Sequence, residues 1–202
     1  MTSREALARL RRLKVDAIET SDAAAALGQP LRTAAKTLSR LAAAGLVRKV
    51  RHGTFWIDGP IDPYRLTPLL TAPLESYLSL QTALHLRGMI EQIPQSFYAV
   101  SLARSQRVIT SVGTYSFHHV APEVFGGYED TDRDVKLATA EKALFDFAYL
   151  SAGRSRLFTA LPELELPRGF RRAELRRWLA RIPSVRARSI TERKLDELLS
   201  GH

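Results

Sequence analysis

The chain has 202 residues, 45% hydrophobic and 25% charged, with no cysteine. That is enough for one or two domains with a buried core, and it excludes disulfides, thiol catalysis and cysteine-based zinc sites. The net charge of +9 is uneven: +6 over residues 1–60, −3 over 61–150 and +6 over 151–202. A basic head, an acidic middle and a basic tail therefore offer different surfaces to partners. There is no apolar run of about 18 residues, so no membrane span is expected. Residues 1–14 are charged from Arg4 onward and lack the apolar segment of a secretory signal, which leads to the expectation of a cytoplasmic protein.

Ser3–Lys14 reads as a first helix, with Ser3 as its cap and Ala6, Leu7, Leu10 and Leu13 as its inner stripe. Val15–Glu19 is a short strand candidate. Thr20 or Ser21 caps a second helix, Asp22–Leu27, and Gly28-Gln29-Pro30 makes a tight turn. The stretch from Gln29 to Gly45 then reads as a third helix, with Pro30 in its first turn and Gly45 as a left-handed cap. Ala34, Ala35, Leu38, Leu41 and Ala42 recur at spacings of three and four on one face, whereas Arg32, Thr33, Lys36, Thr37 and Arg40 fall largely outside it. Leu46–Val50 and Thr54–Ile57 are β-type runs joined by the turn Arg51-His52-Gly53. Helix, strand, helix, turn, helix and hairpin follow in the order of a winged helix-turn-helix domain.

Four prolines in Asp58–Pro73 predict a semi-extended linker. The domain expectation is a winged helix over 1–58, a linker over 59–73 and a mixed α/β domain over 74–202 with an Arg-rich helical tail, α+β overall. In the second domain a helix runs from near Glu75 to Gly88. Strands follow at Ser96–Ala103, Gln106–Thr110, Thr114–Val120 and Asp134–Ala138. Thr139–Leu150 is an amphipathic helix with Ala140, Ala143, Leu144, Phe147 and Leu150 packed inward and Glu141 capping it or paired with a cation. The last fifty residues are helical. Phe170, Leu175, Trp178, Leu179 and Ile182 share a buried side, and Leu195, Leu198 and Leu199 form the stripe of a short final helix.

The third helix of a winged domain enters the major groove, where arginine and lysine bond guanine edges or phosphates and threonine reaches either. The candidates are Gln29, Arg32, Thr33, Lys36, Thr37 and Arg40. Gln29 pairs with adenine only if it faces the bases. In the wing, Arg48, Lys49, Arg51 and His52 are candidates for phosphates or a minor groove. Six neutralised phosphates would give log K a slope of about −5 against log salt. The alternative is a protein-interaction module in which the cations are a solvated face.

No catalytic pattern competes with this reading. Asp130, Asp132, Asp134 and Glu141 match positions 1, 3, 5 and 12 of a calcium loop, but Val135 stands where that loop needs glycine. A solvated acidic loop that docks a basic partner fits better. A nucleotidyltransferase metal pair at Asp130 and Asp132 lacks the upstream Gly-Ser phosphate grip. His118 and His119, adjacent on a strand, point to opposite faces and read as surface histidines. No Gly-x-Ser-x-Gly, His-Glu-x-x-His or Walker-type loop is present. No enzyme activity, cofactor or metal is expected.

Several stretches combine into a resemblance. These are the winged-helix pattern, Tyr77-Leu78-Ser79-Leu80-Gln81-Thr82-Ala83-Leu84, Ile93-Pro94 and Phe97-Tyr98-Ala99-Val100. Tyr115-Ser116-Phe117, Phe125-Gly126-Gly127 and Ala138-Thr139-Ala140-Glu141-Lys142-Ala143-Leu144-Phe145-Asp146 follow. In order and spacing they resemble the AbiEi family, the antitoxins of the type IV AbiE toxin–antitoxin systems, from about residue 5 to about residue 180. Ala140 stands where the family more often has proline. The resemblance implies a repressor of its own operon that binds inverted repeats in double-stranded DNA. It also implies a functional link to a nucleotidyltransferase toxin, with no stable complex required. The alternatives are a winged-helix regulator whose C-terminal domain senses a ligand or protein, with no toxin, and an RNA- or protein-binding adaptor.

Overall fold

The structure, a computed structural model, describes residues 1–132, 135–151 and 163–200. It is α+β: among the described residues there are eight α-helices and two sheets, of three and six strands. The chain divides into two compact units, Met1–Pro63 with Ile109–Gly113, and Tyr64–Val108 with Thr114–His202.

In the first unit α1 is Ser3–Arg11. Its cap is Thr2 rather than Ser3. Thr2 Oγ1 accepts from the Glu5 N–H at 3.2 Å, and Glu5 Oε2 accepts from the Thr2 N–H at 2.9 Å, so two otherwise unpaired donors are satisfied reciprocally. The helix stops before Leu13, and Lys14 takes a left-handed φ of 54°. Leu13 therefore lies outside the stripe that buries Ala6, Leu7 and Leu10, and it is exposed. β1 (Ala17–Glu19), α2 (Thr20–Leu27), α3 (Leu31–Ala43), β2 (Arg48–Arg51) and β3 (Thr54–Trp56) follow. The sheet is antiparallel in the order β1-β3-β2. Leu7, Leu10, Ile18, Leu27, Leu38, Leu41, Val47, Phe55 and Ile57 close one core between these helices and the sheet. Truncating one such leucine to alanine typically costs about 2–5 kcal/mol.

The region expected as a linker is only partly one. α4 occupies Leu66–Thr71 and buries Leu66, Thr67, Leu70 and Thr71. Pro68 does not prevent this, because the first turn of a helix has no partner for that N–H. Hydrogen bonds between Thr71 Oγ1 and Ser76 Oγ at 2.8 Å, and from Ser76 Oγ to the Thr67 carbonyl at 3.2 Å, fasten α4 to the next strand.

That strand, β4 (Ser76–Leu78), lies where a helix was expected from near Glu75. Tyr77 pairs with Val100, and Leu78 with both Ala99 and Leu137, which places β4 in the interior of a sheet. The run Tyr77, Leu78, Leu80, Leu84 is too short for its period to separate strand from helix. Leu80, at φ 55°, turns the chain from β4 into α5 (Leu80–Leu86). β5 (Phe97–Ser101), β6 (Gln106–Thr110), β7 (Gly113–His119), β8 (Tyr128–Asp130) and β9 (Lys136–Ala138) complete the sheet in the order β6-β7-β5-β4-β9-β8. α6 (Ala140–Ser151), α7 (Arg172–Ala180) and α8 (Val185–Leu199) follow. α6 packs against α5, α7 and α8.

α6 is not amphipathic in effect. All eight residues from Glu141 to Ala148 are buried, Lys142 and Asp146 included, whereas Ala140 and Leu150 are only half-buried. A helix enclosed on all sides has no solvated face to spare. The expected buried side of α7 is present in Leu175, Trp178, Leu179 and, just beyond it, Ile182, with Phe170 half-buried. α8 spans 15 residues and is not short. No helix among the described residues is long and apolar enough to cross a membrane.

Candidate nucleic-acid interface

α3 is set by its two ends. Gly28, at φ 63°, closes α2, and the Gln29 N–H donates to the Ala24 carbonyl at 3.0 Å. Pro30 is the residue before the first turn rather than a member of it. At the far end Gly45 has φ 68°, its N–H donates to the Ala42 carbonyl and that of Leu46 to the Leu41 carbonyl, each at 3.0 Å. This pairing satisfies carbonyls that the helix itself leaves open, and it needs a left-handed residue, which glycine supplies without strain.

Between these ends Ala34, Leu38 and Leu41 are buried, and Arg32, Lys36 and Arg40 stand exposed at four-residue spacing. They span about 12 Å along the helix. Thr33 is exposed beside them, and so is Ser39, which the sequence reading passed over although it shares their helical face. On β2, Arg48 and Lys49 are exposed, and an irregularity in the pairing between Lys49 and Arg51 accompanies the burial of Val50. Neither α3 nor β2 contains an acidic residue. No ion pair among the described residues engages Arg32, Lys36, Arg40, Arg48 or Lys49. Their positive potential is therefore locally uncompensated.

Three expected site residues are placed differently. Thr37 is only 5% exposed, and its Oγ1 donates to Gln29 Oε1 at 3.1 Å. A threonine at that angle on α3 faces the α2–α3 turn, and its hydroxyl is used there. Gln29 is half-buried, and its carbonyl oxygen accepts from Thr37, which ties the side chain to the α2–α3 turn. The guanidinium of Arg51 is bonded at the surface to Glu19 Oε1 at 3.3 Å and Thr54 Oγ1 at 3.1 Å. His52 is exposed in the hairpin turn. The turn is fixed because the Gly53 carbonyl accepts from both the N–H and the Oγ1 of Thr20, at 2.9 and 3.0 Å.

The acidic loop is also resolved into parts. Asp130 ends strand β8 and pairs in register with Lys136 of β9; Asp132 is exposed in the turn, and Asp134 lies outside the described residues. Glu141, the last carboxylate of the calcium template, is buried and accepts from the Arg171 N–H at 2.8 Å.

The second unit holds a charged network that the sequence reading did not single out. Lys142 and Asp146 are both 0% exposed and form an ion pair one turn apart on α6. Asp146 Oδ2 also accepts from Ser79 Oγ at 2.7 Å and Tyr77 Oη at 3.0 Å. The ammonium of Lys142 lies 4.5 Å from the Trp178 ring centre, 4.8 Å from that of Phe145 and 5.6 Å from that of Tyr77. Gly127 makes this closure possible: at φ 73°, a Cβ there would stand 2.5 Å from Trp178 Cζ2 and 2.9 Å from Lys142 Cγ. Burial lowers the Lys142 pKa and raises that of Asp146, while each charge opposes the shift in the other. Burial and the Asp146 carboxylate push the Tyr77 hydroxyl well above its ordinary value. The one sequence signal for this network was a lysine and an aspartate four apart in an otherwise apolar helix.

His118 is half-buried rather than a surface residue; it hydrogen-bonds Ser116 Oγ at 2.9 Å and stacks on Tyr98. Burial holds its pKa down at about 4, so the folded state keeps a neutral ring. The unfolded chain takes up that proton below about pH 6.5. The stabilisation is therefore present above pH about 6.5 and is lost as the pH falls toward about 4. Unfolding free energies from urea titrations across this window should fall with pH, by up to about 3 kcal/mol from this group. His118→Gln should show a shallower fall, and an equal slope would remove His118 as the cause.

No protein-family model matches the chain, and no curated protein matches it.

Proposed function

We propose that residues 1–58 are a winged helix-turn-helix domain that binds double-stranded DNA, and that the protein represses transcription as the autoregulating antitoxin of a type IV toxin–antitoxin pair. The observation that carries DNA binding is the set of exposed cations on α3 and β2 that no ion pair among the described residues engages: Arg32, Lys36, Arg40, Arg48 and Lys49. The element order and the three-stranded antiparallel sheet support the winged-helix reading. In that fold the third helix enters the major groove and the hairpin lies against the backbone. Phosphate contacts then supply affinity, and base contacts from α3 supply choice. Repression and the antitoxin role rest on the resemblance in motif order to the AbiEi family. A nucleotidyltransferase toxin gene beside this one supports that role, and a neighbourhood without one favours a regulator that senses a ligand or protein.

The test is fluorescence anisotropy on a labelled fragment from upstream of the gene, against scrambled DNA, at several salt concentrations. Five phosphates neutralised per chain give a slope of about −4.5 in log K against log salt. Affinity should then fall about 500-fold between about 50 and about 200 mM salt. The upstream fragment should bind more tightly than scrambled DNA at every salt. Equal affinity for both would overturn specific repression.

A further inference from the structure

Resting on the DNA-binding reading above, we infer that Leu31 is a specificity-determining residue that reads the 5-methyl group of thymine in the major groove. Leu31 is the first residue of α3 and is 59% exposed, more than any other large apolar side chain in residues 1–63. It stands directly before Arg32, at the end of the helix that a recognition helix turns toward base edges. Ala35, one turn on, is half-buried and continues the apolar edge along the flank of the cationic face.

The amide and hydroxyl that could read an A·T pair from the α2–α3 turn bond each other. Gln29 Oε1 accepts from Thr37, and Thr37 is buried. The Gln29 amide is thereby tied to the turn between α2 and α3 through its oxygen. For apolar contact the first turn offers the methyl of Thr33 and the isobutyl group of Leu31. Thymine is the base whose major-groove edge carries a methyl group, and apolar side chains are its natural complement. The two long cations on the adjacent face, Arg32 and Lys36, reach phosphates or guanine edges, and neither carries the apolar surface that complements a thymine methyl.

The test uses the full chain and its Leu31→Ala variant. Selection from a random-sequence duplex library by the wild-type chain gives the preferred site. Each thymine of that site is then replaced singly by deoxyuridine, which removes the methyl and leaves the pairing intact. At one thymine per recognition helix, wild-type affinity should fall about fourfold, as expected for one buried methyl-sized group. The Leu31→Ala variant should bind the thymine and uracil duplexes alike at that position. Leu31 is exposed, so the variant should keep the wild-type thermal midpoint. A wild-type chain indifferent to every uracil replacement overturns the inference, and so does a Leu31→Ala variant that keeps the full thymine preference. If the library yields no enriched sequence, base reading fails as a whole, and a salt-dependent affinity for any duplex then separates that failure from loss of DNA binding.

Discussion

Removing two exposed cations of α3 together, Arg32→Ala with Lys36→Ala, should weaken binding to the upstream fragment by about 30- to 1,000-fold, equivalent to about 2–4 kcal/mol. The range reflects what the two side chains meet. A phosphate contact contributes mainly counterion release, whereas a bidentate contact to guanine adds about 1–3 kcal/mol of discrimination. The salt slope reads out the same change independently, falling from about −4.5 to about −2.7 as two of five neutralised phosphates are lost. Both side chains are solvent-exposed and unpaired among the described residues, so the thermal midpoint of the double variant should stay within a degree or so of wild type. Arg51→Ala is the informative control. Its guanidinium is committed to Glu19 and Thr54, so it should lower binding less than either α3 cation does. Unchanged binding by the double variant would mean that another face of the molecule meets the nucleic acid.

The second large effect is expected in the second unit. Asp146→Ala leaves the Lys142 ammonium enclosed by Trp178, Phe145 and Tyr77 with no counter-charge, and it strips Ser79 and Tyr77 of their acceptor. Breaking a buried pair in this way costs about 3–5 kcal/mol. Lys142→Met leaves the carboxylate with its two hydroxyl donors and should cost somewhat less. The double replacement Lys142→Met with Asp146→Leu removes both charges at similar volume, and it should be more stable than Asp146→Ala alone. Urea denaturation in a Trp56→Phe background isolates the fluorescence of Trp178, whose ring lies on Lys142. If the double variant is as unstable as Asp146→Ala, packing rather than the unpaired charge is the larger cost. The network joins β4 to α6, so its loss should loosen the second unit while leaving the folding of residues 1–58 to their own core.

The elements around α3 were legible because local cues agreed there. Gly28 and Gly45 mark positions that need a left-handed backbone, and the spacing of Ala34, Leu38 and Leu41 marks a helix face. The same spacing placed Arg32, Lys36 and Arg40 on the outer face, where the structure has them exposed. Periodicity gives an angle around a helix but no neighbour, which is why Thr37 and Arg51 were misplaced. Thr37 lies at the border of the polar face, and only the position of Gln29 decides that its hydroxyl points inward. Arg51 reads as a wing cation until Glu19, 32 residues earlier, is seen across the sheet.

The second unit shows the limit more plainly. Ser76–Leu78 has the residues of either a strand or a helix, and pairing with Ala99 to Ser101 and with Leu137 settled it. The stretch from Asp58 to Pro73 carries enough prolines to suggest an extended link, yet its leucines found a core and made α4. By itself the sequence determined the α+β class, the capped cationic helix and the uneven charge, because each follows from residues close along the chain. The burial of Lys142 and Asp146, the engagement of Gln29, Thr37 and Arg51, and the exposure of Leu31 were decided by the tertiary structure. Each of these depends on which distant segment supplies a partner or leaves a side chain without one, and short-range periodicity carries no term for that.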